Sequence, residues 1–300
     1  MAADADPDFG RRLTEIADRV TVALDQLIPP AQGPEADLMR AMRHSALANG
    51  KRMRPFYVIE TGAIFDAPEK SLLRTAAALE CVHSYSLIHD DLPCMDDDDF
   101  RRGQPTVHKA FNEATAVLAG DALLTLAFKI LANRETHQDP HIRLKLLERL
   151  ADNSGAQGMV GGQMIDMLED ESPRDLNTIT RMQRLKTGAL ISYSVEAGAI
   201  LGGANEVERQ ALHGFAHDLG LAYQISDDLL DATGEEGSVG KPLRTDETAG
   251  KANFVTLMGV DQARERVRLL AAQAKEHLAI FRNRANILLQ SVDFVLDRKH

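Results

Sequence analysis

Apolar residues recur at helical spacing along most of the chain, and no run alternates apolar and polar residues as a strand does. Prolines, glycines and capping residues divide this pattern into separate helices. The predicted helices are 9–27, 35–48, 55–64, 71–92, 112–131, 141–166, 176–188, 189–201, 206–231, 261–284 and 286–299. The pattern predicts an all-α fold and, because the composition does not shift along the chain, a single domain over residues 1–300.

Two charged segments lie between the predicted helices. The first, 93–105, follows a helix that is expected to begin at the capping residue Ser71 and to end before Pro93. The second, 233–251, is long for a connection without structure, and such loops often act as lids or binding loops. We therefore expect 233–251 to close over a bound ligand.

The composition argues against several classes of protein. The chain has 300 residues with a 44% hydrophobic share, enough for a large core, and its net charge of −11 disfavours nucleic acid as a partner. Two cysteines do not make a disulfide framework, and residues 1–10 lack the basic and apolar pattern of a signal peptide. The longest apolar stretch, 189–204, contains Glu196 and is shorter than the roughly 20 residues of a membrane-spanning helix. These features predict a cytoplasmic protein without a membrane span.

Three aspartates end the apolar helix over 206–231. Asp227 and Asp231 lie four positions apart and share one helix face, and Asp228 lies about 100° round from Asp227. Like charges at this spacing repel each other, so their place at the end of an apolar helix indicates a bound cation.

A second acidic cluster lies at the end of the helix over 71–92. Asp96 follows Asp90 and Asp91 after a short gap, and Pro93 prevents a regular helix between them, so we expect the chain to bulge and return Asp96 towards Asp90. Carboxylate oxygens are the hard ligands that Mg²⁺ prefers. One acidic cluster is more typical of a solvated helix end, but two clusters, each ending an apolar helix, favour metal binding.

Basic residues flank both acidic clusters. They are Lys51, Arg52, Arg54, Arg101, Arg102, Lys186, Lys241 and Lys251. Arginine binds phosphate through paired hydrogen bonds and lysine acts as a point charge. Each residue alone is typical of a solvated surface, but the set predicts sites for diphosphate groups. His83 lies seven residues before Asp90 on nearly the same helix face, either as a core histidine or as a further diphosphate contact.

Five segments together resemble the trans-prenyltransferase family of short-chain polyprenyl diphosphate synthases, and the second of them resembles the first aspartate-rich motif in its bacterial and plant form, with two extra residues. They are Gly50-Lys51-Arg52-Met53-Arg54-Pro55, His89-Asp90-Asp91-Leu92-Pro93-Cys94-Met95-Asp96 with Arg101-Arg102-Gly103, Gly162-Gln163-Met164-Ile165-Asp166, Lys186-Thr187-Gly188 and Gln224-Ile225-Ser226-Asp227-Asp228-Leu229-Leu230-Asp231. The combination is highly specific and covers most of the chain, whereas any one segment would be a weaker match.

The resemblance implies an all-α bundle of the isoprenoid synthase type with a central active-site cavity, a homodimer and three Mg²⁺ ions. The implied metal residues are Asp90, Asp91, Asp96, Asp227 and Asp231, with Asp228 as a further ligand or holder of metal-bound water. The implied contacts to isopentenyl diphosphate are Lys51, Arg54, His83 and Arg102. The implied contacts to the allylic diphosphate are Arg101, Lys186, Thr187, Gln224, Lys241 and Lys251. The residues implied in catalysis are Asp90, Asp96, Arg101, Lys186 and Asp227.

The reaction implied by this resemblance is ionisation, condensation and elimination, in which isopentenyl diphosphate is joined to dimethylallyl or geranyl diphosphate. Tyr85 and Ser86 occupy the fifth and fourth positions before Asp90, which set product length in the family. A tyrosine at the fifth position resembles bacterial farnesyl diphosphate synthases, so farnesyl diphosphate is the expected product.

Three alternatives remain beside this interpretation. Geranylgeranyl diphosphate is the second candidate product. A terpene cyclase on the same fold is disfavoured because 227–231 lacks the Asn, Ser and Glu of a cyclase metal motif. A non-catalytic helical subunit is disfavoured because both aspartate clusters and Lys186 are intact.

Overall fold

The computed structural model describes residues 7–168, 175–233 and 253–296. Its α-helices are α1 Pro7–Leu27, α2 Ala36–Ala46, α3 Met53–Ala63, α4 Glu69–Asp90, α5 Val107–Ala110, α6 Glu113–Ala132, α7 Pro140–Ser154, α8 Met159–Met167, α9 Leu176–Gln183, α10 Ala189–Leu201, α11 Glu206–Thr233, α12 Phe254–Met258, α13 Val260–His277 and α14 Asn286–Leu296. A π-helical turn over Arg184–Gly188 joins α9 to α10, and a 3₁₀ segment over Leu278–Ala285 joins α13 to α14. The prediction of an all-α fold is confirmed.

A small β-hairpin departs from the predicted pattern. Strands β1 Phe100–Arg101 and β2 Gln104–Pro105 pair antiparallel in the segment expected to be a loop. Two residues a strand are too few to show an alternating pattern, so periodicity could not reveal the hairpin.

Two helix boundaries also differ from the prediction. Helix α4 begins at Glu69 after Pro68, so Ser71 is buried in its first turn and is not the cap. The helix expected over 141–166 is divided into α7 and α8 at Gly158, where a Cβ atom would lie 2.1 Å from the carbonyl oxygen of Asn153. Only glycine permits so close an approach of the backbone to itself.

The internal contacts of the chain divide it into two compact units. The N-terminal unit comprises Arg11–Leu150 with Ile200–Gly202, and the C-terminal unit comprises the described residues within Met1–Gly10, Ala151–Ala199 and Gly203–His300. The expectation of a single domain over residues 1–300 stays a prediction.

Helix α4 is the centre of the N-terminal unit. It packs against α3 and, most extensively, against α6. Its residues Leu79 and Ile88 are fully buried, and so is Leu123 of α6. Because burial of each such side chain contributes about 1.5–3 kcal/mol, α4 is a rigid support for the acidic residues at its end.

The last turn of α4 is fixed directly onto α6. The Nε2 atom of His89 lies 3.1 Å from the carbonyl oxygen of Val117, within hydrogen-bond distance. Gly120 makes room for this ring, because a Cβ atom at Gly120 would lie 2.1 Å from His89 Nε2. The contact holds the residue that immediately precedes Asp90.

The C-terminal unit is built around the long helix α11, which packs most extensively against α13. Helix α8 approaches the π-helical turn so closely that a Cβ atom at Gly162 would lie 2.1 Å from the backbone nitrogen of Lys186. Single π-helical turns occur frequently at functional sites. The glycine therefore positions the turn that carries Lys186.

Among the described residues, α6 alone is long and apolar enough to cross a membrane by length and composition, with a mean hydropathy of 1.7. Of that apolar stretch, 44% is buried. Core helices of soluble proteins meet the same criterion, so the finding is weak evidence for a membrane span.

Candidate active site

The first aspartate cluster lies where α4 ends in the N-terminal unit. The backbone N–H of Asp96 donates to the carbonyl oxygen of Asp90 at 2.8 Å, and the N–H of Met95 donates to the carbonyl oxygen of Leu92 at the same distance. These bonds confirm the predicted bulge after Asp90, because they turn the chain back on itself. Asp90 is partly buried and Asp96 is exposed, so the cluster is open to a ligand at Asp96.

Asp91 has a different environment from the other aspartates of this cluster. It is 3% exposed, and the guanidinium of Arg101 donates from Nε to its Oδ1 at 2.6 Å, while Nη2 lies 2.5 Å from the same oxygen in an ion pair. Burial raises the pKa of the Asp91 carboxyl, and the ion pair with Arg101 opposes that rise. Asp91 therefore holds Arg101 beside the first cluster.

The β-hairpin carries the next basic residue towards the segment 50–54. Arg102 has a φ of 54° and Gly103 a φ of 76°, both in the left-handed region that makes the turn tight. The Arg102 guanidinium lies against Gly50, where an added Cβ atom would be 3.0 Å from its Cζ. A side chain at residue 50 would require this guanidinium to shift.

Arg54 and His83 meet between α3 and α4. Arg54 Nη1 lies 3.3 Å from His83 Nε2, and because arginine can only donate, His83 accepts through an unprotonated nitrogen. Burial, and then the neighbouring Arg54 and Arg102, hold the pKa of His83 well below its ordinary value. The imidazole is thus neutral at physiological pH, and Lys51 is exposed nearby along the chain. The structure brings together Arg54 and His83, and it places Arg102 beside Gly50.

The low pKa of His83 makes stability depend on pH. Below about pH 6.5 the unfolded chain binds a proton on His83 and the folded chain does not, which favours the unfolded chain. The free energy of unfolding is therefore higher above that pH and decreases as the pH falls below it. Between pH 7.5 and pH 5.5 we expect wild-type protein to lose about 1 kcal/mol more unfolding free energy than His83→Gln. Urea unfolding at both pH values measures the difference. The exposed His213 provides the control, and His213→Gln should lose as much unfolding free energy as the wild type. Equal losses of unfolding free energy in wild type and His83→Gln would contradict the assignment.

The second aspartate cluster lies near the end of α11 in the C-terminal unit. Asp228 is 3% exposed, accepts from Gln224 Nε2 at 3.0 Å and accepts from the backbone N–H of Phe254 at 3.0 Å. Asp228 therefore holds the start of α12 against α11. Asp227 and Asp231 are only partly buried, so they are the more accessible carboxylates of this cluster.

The π-helical turn adds basic and polar groups in the same unit. Lys186 Nζ lies 2.5 Å from Asp166 Oδ2, and Thr187 Oγ1 donates to Gln224 Oε1 at 3.2 Å. Gln224 thus connects the predicted allylic contacts of the turn to Asp228. Asp166 is absent from the predicted site residues, although it ends one of the matched sequence segments. Lys241 and Lys251, and nearly all of the predicted lid, lie outside the described residues.

The accessible carboxylates fit Mg²⁺ that is bound together with a substrate. In the described parts of the chain, no three His, Cys, Asp or Glu side chains form a group that could hold a metal by itself. Mg²⁺ is usually held by one or two carboxylates together with water and substrate phosphates. Asp90, Asp96, Asp227 and Asp231 could supply hard oxygen ligands of this kind.

Comparison with known proteins identifies the family of the chain. The family model described as polyprenyl synthetase matches residues 35–285. A farnesyl diphosphate synthase of Geobacillus stearothermophilus is 43% identical over 89% of this chain and 90% of that protein, and one of Escherichia coli K12 is 42% identical over 90% and 91%. A geranylgeranyl diphosphate synthase of Cyanophora paradoxa is 37% identical over 96% and 97%.

A solved structure is similar over almost the same length. The crystal structure of an FPP/GFPP synthase from Zymomonas mobilis is 45% identical and superimposes with a TM-score of 0.88, covering 96% of this chain and 99% of that one. The chain therefore belongs to the polyprenyl synthetase family, and the predicted isoprenoid synthase type of all-α fold is confirmed. Members of this family transfer prenyl groups, and this protein is a prenyltransferase.

Proposed function

We propose that this protein condenses isopentenyl diphosphate with dimethylallyl or geranyl diphosphate and releases farnesyl diphosphate as its main product. The observation that carries the proposal is the association of each aspartate cluster with its own basic residues. Arg101 is paired with Asp91 in the first cluster. In the C-terminal unit, Thr187 of the π-helical turn is linked through Gln224 to Asp228, and Lys186 lies beside it in sequence.

Magnesium is the metal that suits these carboxylates best. We assign three Mg²⁺ ions to the complex with substrate. Asp90, Asp96 and Asp227 are the direct ligands, and Asp91 and Asp231 bind the metal or hold metal-bound water. When bound, Mg²⁺ neutralises the negative charge of the departing diphosphate. The ion pair of Asp91 with Arg101 gives Asp91 a supporting position in this set.

The basic residues stabilise the same charge. Arg101 and Lys186, with Thr187 and Gln224, bind the allylic diphosphate, and its C1–O bond breaks with the electron pair leaving on the diphosphate oxygen. The double bond of isopentenyl diphosphate then attacks C1 of the allylic cation and forms the new carbon–carbon bond. Loss of a proton from the resulting cation restores a double bond, and the released diphosphate accepts that proton.

Isopentenyl diphosphate occupies the second basic site. Lys51, Arg54, His83 and Arg102 bind its diphosphate, and a neutral His83 contributes as a hydrogen-bond partner and not as a charge. These four residues lie in the N-terminal unit, where Arg54 contacts His83 and Arg102 lies against Gly50. A diphosphate at this site would be bound chiefly by the two guanidinium groups, which suit bidentate contact.

Product length is assigned to Tyr85 and Ser86 on α4. Tyr85 is buried and precedes Asp90 on α4 by more than one helical turn. Its bulk therefore limits the space available to a product chain that grows along α4 away from the first aspartate cluster. The relatives named farnesyl diphosphate synthase favour farnesyl diphosphate, and the geranylgeranyl diphosphate synthases among the relatives keep geranylgeranyl diphosphate as the second candidate.

The proposed activity is tested with purified protein, Mg²⁺, isopentenyl diphosphate and, separately, dimethylallyl and geranyl diphosphate. We expect release of diphosphate, farnesyl diphosphate as the main product by chromatography, and loss of activity on addition of EDTA. Absence of elongation with every allylic primer would overturn the proposal, and a main geranylgeranyl product would select the second candidate.

We also propose that the protein is a homodimer that acts in the cytoplasm. The exposed side of α6 carries Val117 and Leu118, which are 42% and 56% exposed, and α7 exposes Leu144 to 64%. Exposed large apolar side chains that cluster in one patch mark interaction sites, and we propose that these residues of α6 and α7, which follow one another in the chain, belong to such a patch. A second copy of the chain is the partner implied by the family resemblance.

Leu118→Asp tests this surface. A buried, unpaired carboxylate at the centre of a dimer interface costs several kcal/mol, so we expect the variant to be monomeric at concentrations where wild-type protein is dimeric. Size-exclusion chromatography with light scattering measures the mass. Val22, a similarly exposed residue of α1 at 56%, is the matched control, and Val22→Asp should leave the mass unchanged. A monomeric wild type, or a dimeric Leu118→Asp, would contradict the proposal.

A further inference from the structure

The segment 50–54 contains one buried arginine, Arg52, between the exposed Lys51 and the partly buried Arg54. The side chain of Arg52 is 1% exposed and that of its ion-pair partner Glu80 is 2% exposed. Lys51 before it is exposed, and Arg54 after it is partly buried beside His83. Arg52 therefore cannot contact a substrate as its neighbours can, and burying two charges carries a desolvation cost that calls for a reason.

The Arg52 guanidinium ties three parts of the N-terminal unit together. Its Nη1 donates to Glu80 Oε1 of α4 at 2.5 Å. Its Nη2 donates to the carbonyl oxygens of Ala46 at 2.7 Å and Ala48 at 2.9 Å, at the C-terminal end of α2. The last carbonyl groups of a helix need partners from outside it, so Arg52 caps α2 while it is held on α4.

The backbone of Arg52 is strained in the same place. Its φ of 50° and ψ of 39° are left-handed, a conformation that costs a non-glycine residue on the order of 1 kcal/mol or more. The conformation turns the chain from the end of α2 into the first turn of α3. Such strain persists only where the surroundings determine the geometry, and the buried bonds of the side chain do so here.

Glu80 and His83 lie three residues apart on α4 and so occupy neighbouring positions on one face. Arg52 is bound to Glu80, and Arg54 contacts His83. Arg52 and Arg54 are therefore placed side by side along α4, so that the buried Arg52 lies next to Arg54, the proposed diphosphate contact. A shift of Arg52 would move the backbone that carries Lys51 and Arg54.

We propose that Arg52 and Glu80 are positioning residues that hold Lys51 and Arg54 in the geometry that binds isopentenyl diphosphate. The proposal rests on the assignment of the 50–54 segment to that substrate. Neither residue touches the reacting atoms. Their effect is on affinity for isopentenyl diphosphate, because Arg52 adjoins Lys51 and Arg54 in the chain, whereas the allylic contact Arg101 is held by Asp91 and Lys186, Thr187 and Gln224 lie in the C-terminal unit.

Two variants and one matched control test the pair. Glu80→Gln keeps the shape of the acceptor but removes its charge, and Arg52→Lys keeps the charge but loses the forked contact. Glu60→Gln is the control, because Glu60 is also a buried carboxylate of this unit. Its partner is Arg12, which lies outside the 50–54 segment and donates to it at 2.7 Å.

We expect Glu80→Gln and Arg52→Lys each to raise KM for isopentenyl diphosphate about tenfold, with KM for the allylic diphosphate changed less than about twofold. Thermal unfolding of all variants shows the stability change, and Glu60→Gln should lose stability without the rise in KM. If Glu80→Gln is insoluble, Arg52→Lys decides the question with the same measurement.

The proposed function and the positioning role fail in different ways. An inactive wild type overturns the proposed function. An active wild type, with unchanged KM for isopentenyl diphosphate in the Arg52 and Glu80 variants, overturns the positioning role alone. An equal rise of both KM values, or a rise in Glu60→Gln, would assign the effect to general destabilisation and would also overturn it.

Discussion

Asp90→Asn is expected to lower kcat about 1000-fold, which corresponds to a loss of about 4 kcal/mol of transition-state stabilisation. Asp90 ends α4, and the returning backbone of Asp96 is bonded to its carbonyl oxygen, so the two carboxylates belong to one rigid bulge. The amide of asparagine keeps the shape of the side chain but removes the charge that holds a divalent cation. Steady-state kinetics at saturating Mg²⁺ and both substrates measures the effect.

The matched control for this prediction is an aspartate with no place in the proposed site. Asp18 is exposed on α1, and Asp18→Asn should retain the wild-type kcat. Circular dichroism and thermal unfolding establish that Asp90→Asn is folded. If the folded variant kept kcat within tenfold of wild type, Asp90 would not be a principal metal ligand.

Tyr85→Ala is expected to change the main product from farnesyl diphosphate to geranylgeranyl diphosphate or longer chains. Tyr85 is 7% exposed, and its ring meets that of His89 edge-on, with centroids 5.8 Å apart. Burial, and then the nearby Asp90, raise the pKa of its hydroxyl to about 12, so the side chain stays neutral and can lie against a hydrocarbon chain. Its removal leaves space in the packing that a longer product can occupy. Chromatography of the products from geranyl diphosphate measures the distribution.

Tyr85→Phe provides the control because it keeps the ring and its packing against His89. We expect it to make farnesyl diphosphate as wild type does. Truncating a buried aromatic side chain costs about 3–5 kcal/mol, so Tyr85→Ala must be assayed below its melting temperature. An unchanged product from Tyr85→Ala would show that another residue, with Ser86 the first candidate, limits the chain.

The acidic clusters and their basic partners can be recognised from the sequence alone because their chemistry is local. Asp227 and Asp231 share a helix face because they are four residues apart. Pro93 interrupts the helix whatever the tertiary contacts, because its ring cannot continue regular helical hydrogen bonding. Glu80 is absent from the predicted site residues, although a charged residue inside an apolar helix, three positions before His83, is a signal that could have found it. The sequence shows neither its burial nor its partner, because Arg52 is 28 residues away and the bond forms only when α3 packs on α4.

Packing also separates aspartates that look equivalent in the sequence. Asp91 is buried by Arg101 from the hairpin, and Asp228 is buried by the backbone of Phe254, 26 residues further on. Neighbouring Asp96 and Asp227 remain accessible. A side chain's exposure depends on distant elements, so the spacing within each cluster could not distinguish a supporting carboxylate from a candidate ligand.

Helical periodicity, the two acidic clusters and the motif set therefore established the fold class, the family and the kind of chemistry, since each depends on residues close together in the chain. Tertiary structure decided which groups are buried and in which state they are held. It made His83 a neutral acceptor by burying it and placing Arg54 beside it, and it made Arg52 a structural cation by enclosing it with Glu80. Desolvation and pairing act through space, and that is why these assignments required the folded chain.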